Sequence, residues 1–368
     1  MSKKKIIIVG REIFPKNSPR AFRATELAKE LARQGHEVIL YAILGNYDYS
    51  LFESEFNIKV KGLGKSYLTS LTSDGETKEN KFFNKVLYKL FNKFLEVPDI
   101  ELMFKIPRFL KKEQNTDLLI TVAVPYSIHW GGALLKKKLN FKEVTWVADC
   151  GDPFMGNKFK KHPFYFKYLE KWFCSKVDYL SIPIQEAKIA YYEEFRSKIK
   201  IIPQGFNFNE FELEAYAKNK IPTFLYAGSF YEGIRDPRKF LEYLSNLKLD
   251  FRFYIYTRNT KILETFIEPL GEKIVVNDYI SRGELLNKMA KVDFLVNFEN
   301  GTSVQSPSKL IDYGISKRPI IDIGTNELDE KNILAFLEGN YDGQTNIESI
   351  DDYRIENVST SFLELIKK

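Results

Sequence analysis

Short, uninterrupted apolar runs alternate with stretches of helical spacing along most of this chain. Ile6–Val9 is the first run. It reads as a strand covered on both faces, because a half-exposed strand would alternate apolar and polar residues. After the polar stretch REIFPKNSPRAFR, Phe22, Leu27, Ala28 and Leu31 recur at helical spacing, and Gly35 marks that helix's end. HEVILYAI is the next strand. Strand, helix, strand is the building unit of a parallel sheet. The alternation predicts further strands at TDLLITVAV, VTWVAD, VDYLSI and KIKIIPQG, with helices over 131–138, 164–175 and QEAKIAYYEEF. It pauses near Pro203–Gly205, and NFNEFELEAYAKNK reads as a connector. A second series places strands at IPTFLYAGS, FRFYIYT, KIVVNDY, VDFLVNF and RPIIDI. Its helices fall near 237–248, 260–267 and 282–290 and over SPSKLIDYGIS, and the tail ESIDDYRIENVSTSFLELIKK reads as a last amphipathic helix.

Two successive series predict an α/β protein of two doubly wound, Rossmann-like domains facing across a cleft, with ligands beyond the carboxyl ends of the strands. The expected boundaries are 1–205, 206–345, and a tail helix 346–368 crossing back to the first domain. A chain of 368 residues is long enough for each domain to bury its own core.

Composition narrows the class. Apolar residues at 44% and charged residues at 28% suit a soluble globular protein. No uncharged apolar run reaches the roughly 18 residues of a spanning helix. MSKKKIIIVG starts basic but meets Arg11 too soon for a signal peptide. Cys150 and Cys174, the only cysteines, form no disulfide framework, which points to a reducing cytoplasm. The net charge of +6 is uneven: residues 1–112 hold 21 basic and 13 acidic residues, a local surplus of +8. That bias suits an anionic partner or a solvated basic surface. In KFFNKVLYKLFNKFL, Lys81, Lys85, Lys89 and Lys93 recur every fourth residue, largely away from Phe83, Leu87, Leu90, Phe91 and Phe94. Such a helix either lies on an anionic membrane or packs on its own domain. Residues 157–176 are similarly basic and aromatic.

Several chemistries lack their motifs. The first strand leads into GREIFPKNSPR, with one glycine, so the dinucleotide fingerprint G-x-G-x-x-G is missing. Neither a phosphate loop nor a G-x-S-x-G elbow occurs. Two cysteines and three histidines lie too far apart for a zinc pattern, so no metal is expected. QSPSKLIDYGISKRPII is more informative. Ser306 or Ser308 can cap a helix whose first turn holds Pro307. Free amides around Ser308, Lys309 and Leu310 suit an anion, and Asp312 follows one turn on, placed to accept from a ribose. An ordinary capped helix with a favourable acid near its start explains the same residues.

SPSKLIDYGISKRPII resembles the donor-site segment of the family 4 retaining glycosyltransferases of GT-B fold, the bacterial surface-polysaccharide type. Three further segments are similar, in the family's order: REIFPKNSPRAFRATELAKELARQGHEVILYA, then TVAVPYSIHWGGALLKK with VTWVADCGDPF, then FLYAGSFYEGIRDPRKFLEYL. The resemblance implies an acceptor-side first domain and a second that binds a nucleotide-sugar donor, UDP- or GDP-linked, without a metal. It implies that Asp312 binds the ribose and that Ser308, Lys309 and Leu310 bind the diphosphate. Arg235, seven positions after Gly228, neutralises the leaving group, with Arg238 in reserve. Ser229 stands where the family often has arginine, and Val304 where its first acid would fall; Glu299 is too far from Asp312 for a direct match. His129 either contacts the transferred sugar or packs. Asp149 and Asp152 orient an acceptor hydroxyl or simply form a turn, and Arg20 and Arg23 reach a phosphate or acceptor or face water. The implied activity is transfer of a hexose, with retention, to a glycan or polyprenyl-linked acceptor at the inner membrane face, with no nucleic acid involved. A catalytically silent subunit that binds a partner transferase or glycan is the alternative, favoured by Val304 and Ser229. A GT-B nucleotide-sugar epimerase fits the motif order less well.

Overall fold

The computed structural model describes residues 2–68, 89–138, 141–157, 160–208, 213–299, 308–325, 327–346 and 350–367, with backbone only at 308–310. The chain forms two compact units, 1–207 with 351–368, and 208–350.

The first unit is built on seven parallel strands: β1 (Lys5–Val9), β2 (Glu37–Ala42), β3 (Ile58–Gly62), β4 (Leu118–Ala123), β5 (Thr145–Cys150), β6 (Tyr179–Ile182) and β7 (Ile199–Ile201). Their order is β3-β2-β1-β4-β5-β6-β7. The apolar run of β1 is explained by its two partners and two covered faces. Ile6 pairs with Val38 on one side and Leu118 on the other. Ile7 and Val9 enter one core with Trp130 and Phe173, while Ile6 and Ile8 enter another with Leu27, Leu31 and Phe362. The helix Pro19–Arg33 starts where Ser18 accepts a hydrogen bond from the Ala21 amide and Pro19 takes the first turn. The tail helix Ile355–Leu363 packs on it through Val358 and Phe362, and Gln34 donates to Ser359 Oγ at 2.7 Å. A Cβ at Gly205 would lie 2.4 Å from Ile355 Cδ1, so the chain passes this helix only as glycine.

The second unit holds five parallel strands, β8 (Thr223–Ala227), β9 (Arg252–Tyr256), β10 (Ile274–Asn277), β11 (Phe294–Phe298) and β12 (Ile320–Ile323), in the order β10-β9-β8-β11-β12. Stacked Phe224, Phe253 and Phe294 form its centre, with ring centroids 4.6–4.7 Å apart. Both sheets reverse strand order beside their first strand, β1/β4 and β8/β11, the position where such sheets bind ligands.

The structure departs from the sequence pattern in places. QEAKIAYYEEF is not one helix but two short 3-10 segments, Gln185–Ala190 and Glu193–Lys198. Tyr191 between them is extended and buried, and neither segment buries a residue, so no apolar stripe holds a continuous helix. The tail opens with a 3-10 turn, Ile350–Tyr353, before its helix. Ser50–Phe56, β3, Glu101–Leu110 and Glu330–Leu337 were not legible from spacing. Ser50–Phe56 buries only Phe52. Of the lysine-rich stretch, Lys81 and Lys85 lie outside the described residues, and residues 89–95 are helical.

Candidate functional site

The carboxyl ends of β8, β9 and β10 open onto a cavity of roughly 320 Å³. Gly228, Ser229, Thr257, Arg258, Tyr279 and Asp312 are among its lining residues. Gly228 turns the chain out of β8 at φ +149°, a conformation that costs other residues strain, while its amide donates to the Tyr256 carbonyl at 2.8 Å. The Arg258 guanidinium lies over the Tyr279 ring, 4.5 Å from its centroid, so cation and aromatic face are presented together.

Two helices bring the carboxylate. Arg282–Lys291 begins with a capping box: Ser281 Oγ accepts from the Glu284 amide, and the Ser281 amide donates to Glu284 Oε2 at 3.1 Å. That cap sets Arg282 in the first turn. Its Nε and Nη2 both donate to Asp312 Oδ1, at 2.9 and 2.7 Å. Asp312 lies on the helix Ser308–Ser316. The next residue, Tyr313, is wholly buried and donates to the Val296 carbonyl at 2.9 Å. Successive helical side chains point about 100° apart, so anchoring Tyr313 under the sheet leaves Asp312 at the cavity. Burial pushes the Asp312 carboxyl above the usual aspartate range, and Arg282 opposes that shift. Both arginine contacts fall on Oδ1, and among the described residues none falls on Oδ2.

Of the donor-side expectations, Gly228, Ser229 and Asp312 line one cavity. Ser308, Lys309 and Leu310 form the first turn of the helix that carries Asp312, and their side chains lie outside the described residues, as do Ser306, Pro307 and Val304. Arg235 does not line the cavity. It closes a tight turn with Tyr231, their backbones bonded at 2.9 and 3.2 Å, and its side chain meets the Tyr226 hydroxyl. Arg238 is exposed and paired with Asp236 and with Glu232, the latter at 2.9 Å.

In the first unit the charged residues pair with one another. Arg23 grips Asp149 bidentately, Nε to Oδ2 and Nη2 to Oδ1 both at 2.8 Å, with both side chains about 95% buried. Ser181 Oγ donates to Asp149 at 2.7 Å, and Arg23 also donates to the carbonyls of Ile202 and Pro203. Burial alone would raise the Asp149 carboxyl, but Arg23 and Ser181 bring it below the usual range. Of the two readings open for Arg23, neither a solvated face nor a reach to substrate matches this position: its guanidinium is spent on Asp149. Arg20 pairs with Asp152 at 2.7 Å and lies against Gly151, where any Cβ would collide with it. His129 is wholly buried, with Nδ1 2.8 Å from Thr121 Oγ1, Nε2 3.5 Å from Cys150 Sγ and Tyr126 edge-on to its ring. Burial lowers its pKa to about 3, so the imidazole stays neutral. Within its unit this is the setting of a packing residue.

Arg258, Tyr279 and Arg282 were missed in the sequence. The signal existed for two of them: Arg258 stands two residues past β9 and Tyr279 two past β10, positions that parallel sheets reserve for ligands. Arg282 gave no such signal, because its meaning depends on a partner thirty residues away.

No family model matches this sequence, and no curated protein does. Solved structures match over the full chain. A glycosyltransferase from Rickettsia africae is 15% identical, covers 100% of this chain and 98% of its own, and superposes with a TM-score of 0.63. The lipopolysaccharide outer core galactosyltransferase WaaB is 12% identical, with 98% and 99% covered and a TM-score of 0.59. HepE from Anabaena, solved with UDP, is 9% identical, with 99% and 96% covered and a TM-score of 0.57. The chain therefore has the fold of the GT-B glycosyltransferases.

Proposed function

We propose that this protein is a glycosyltransferase of family 4 type, moving a hexose from a UDP- or GDP-linked donor with retention of anomeric configuration. The observation that carries the reading is the cavity at the ends of β8–β10, with Asp312 held by Arg282 in its wall. Asp312 Oδ2 accepts from a ribose hydroxyl, while Tyr279 and Arg258 offer a stacking face and a cation to the base and phosphates. The amides of Ser308, Lys309 and Leu310 at the start of the same helix receive the diphosphate, whose departure preformed dipoles and cations stabilise. A neighbour of this fold has been solved with UDP, which supports a nucleotide donor. The acceptor is a glycan or a polyprenyl-linked sugar of cell-surface polysaccharide synthesis, met at the inner face of the membrane, and no metal is required.

Thermal shift with UDP, GDP and their sugars tests the reading, since a ligand that binds the folded state raises the melting temperature. A rise with one base and none with the other names the donor. Absence of any rise with either, or an undiminished rise in Asp312→Ala, overturns the reading. Ser229, which lines the cavity where the family often has arginine, favours a second reading, a silent subunit that binds nucleotide sugar without turnover. Donor hydrolysis or transfer that disappears in Asp312→Ala separates the two.

A further inference from the structure

The sheet of the second unit is covered unequally on its two faces. Phe253 and Ile255 of β9 enter the aromatic core and are fully buried. Arg252, Tyr254 and Tyr256 alternate with them along the strand and so point to the other face. There they pair with Thr223, Leu225 and Ala227 of β8. All of these but Ala227 line a second cavity, of roughly 450 Å³. The helix Arg282–Lys291 adds Lys288 and Lys291 to its wall, and the stretch just before β8 adds Asn219 and Lys220. Tyr256 also lines the cavity that holds Asp312, so the two cavities adjoin at this ring.

The charge of this second cavity is one-sided. Lys220, Arg252, Lys288 and Lys291 line it, and none of its lining residues is acidic. Among the described residues only Lys291 of this set has an ion-pair partner, Glu214 at 2.7 Å. Glu284, one turn before Lys288, is spent on the helix cap, where Ser281 Oγ donates to its Oε2 at 2.7 Å. Arg252 lends one nitrogen to the Glu272 carbonyl and keeps its full charge. Charges of one sign gathered in a concavity focus their field and raise the local concentration of a counter-ion. A phosphate monoester carries roughly two negative charges and three acceptor oxygens, which suits these cations better than the single charge of a carboxylate. Tyr254, half-buried on the floor, offers a ring face beside them. The volume is that of a small-molecule site.

We propose that this cavity is a second ligand site, which takes a small phosphate monoester bearing a flat ring. The proposal is independent of the sugar-transfer reading, because none of its cations lines the cavity that holds Asp312. Its test is calorimetric titration of the full chain with phenyl phosphate, inorganic phosphate and phenol. Phenyl phosphate is expected to bind about fivefold more tightly than inorganic phosphate, less tightly as salt rises, and phenol not to bind. Tyr254→Leu is expected to remove the preference for the ring. Lys220→Glu with Lys288→Glu is expected to weaken phenyl phosphate about tenfold or more, and Lys288→Gln alone about threefold. Both lysines are exposed, and circular dichroism checks that each variant is folded. Asp312→Ala, altered in the adjoining cavity, is expected to bind phenyl phosphate as the parent does. Absence of binding by the parent overturns the proposal, as does undiminished binding by the lysine variants or a ring preference that survives Tyr254→Leu. A loss in Asp312→Ala as large as in the lysine double variant assigns the phosphate to the adjoining cavity and overturns it too.

Discussion

The two sheets share one strand logic, yet the carboxyl ends of their strands hold charge in opposite ways. Beside β1 and β5, Arg23 and Asp149 close on each other out of water, with every strong donor and acceptor of the pair engaged. Beside β8 and β9, Arg282 takes one oxygen of Asp312, no described residue takes the other, and Asp312 lines a cavity with Arg258 and Tyr279. A fully satisfied pair fixes structure; a half-satisfied one keeps binding capacity. The same residue types near the same kind of strand end therefore carry different duties, and it is the count of unspent acceptors that separates them.

The comparison is easiest to break at the buried pair. Arg23→Met leaves Asp149 charged and unmatched in the core, and is expected to cost about 3–5 kcal/mol in chemical denaturation. A loss comparable to a surface substitution would show that the pair is not structural. Its contribution is present at neutral pH and fades as pH falls below the ordinary aspartate range, because Asp149 titrates lower when folded.

A second buried acid sharpens the point, since among the described residues no cation pairs with Glu170. Burial raises its pKa to about 7, against hydrogen bonds from the Met155 amide and Tyr192. The folded state then holds a proton that the unfolded state has released, so stability falls as pH rises from about 4.5 to 7 and stays lower above that. Glu170→Gln is expected to be more stable than the parent at pH 8, by about 3 kcal/mol, and equal to it near pH 4.5. Melting curves at the two pH values check this, and a gain of the same size at both would show that ionisation is not the cause.

In the second unit the expected effects are on ligand rather than fold. Asp312→Asn is expected to weaken UDP or GDP binding about tenfold, near 1.4 kcal/mol, with little change in the melting temperature of the unliganded protein. Calorimetric titration measures it, and unchanged affinity would remove Asp312 from the site. The smallest effect belongs to Arg238→Ala. An exposed arginine paired with its own loop contributes little, so melting temperature is expected to hold, and a large drop would reveal a structural role for the 232–238 turn.

Much of the fold was legible because it is written locally. Continuous apolar runs announced strands covered on both faces, and Phe22, Leu27, Ala28 and Leu31 announced the first helix by their spacing, while the caps at Ser18 and Ser281 were seen only in the structure. The tracts that failed were those without a periodic apolar stripe, such as 185–198, where one buried residue, Tyr191, divides two exposed turns. Asp312 could be singled out from its place near a helix start, whereas Gly228 entered through the family resemblance. Arg258 and Tyr279 could have been found from their places just past strand ends.

By itself, then, the sequence determined the type and order of most elements and the parallel α/β class, since apolar spacing acts over a few residues. Only the tertiary structure decided which charges meet. Arg23 lies 126 positions from Asp149, and Arg282 thirty from Asp312. Whether each finds a partner, a cavity or water depends on which strands are neighbours in the sheet, and the residues flanking a charge carry no record of that.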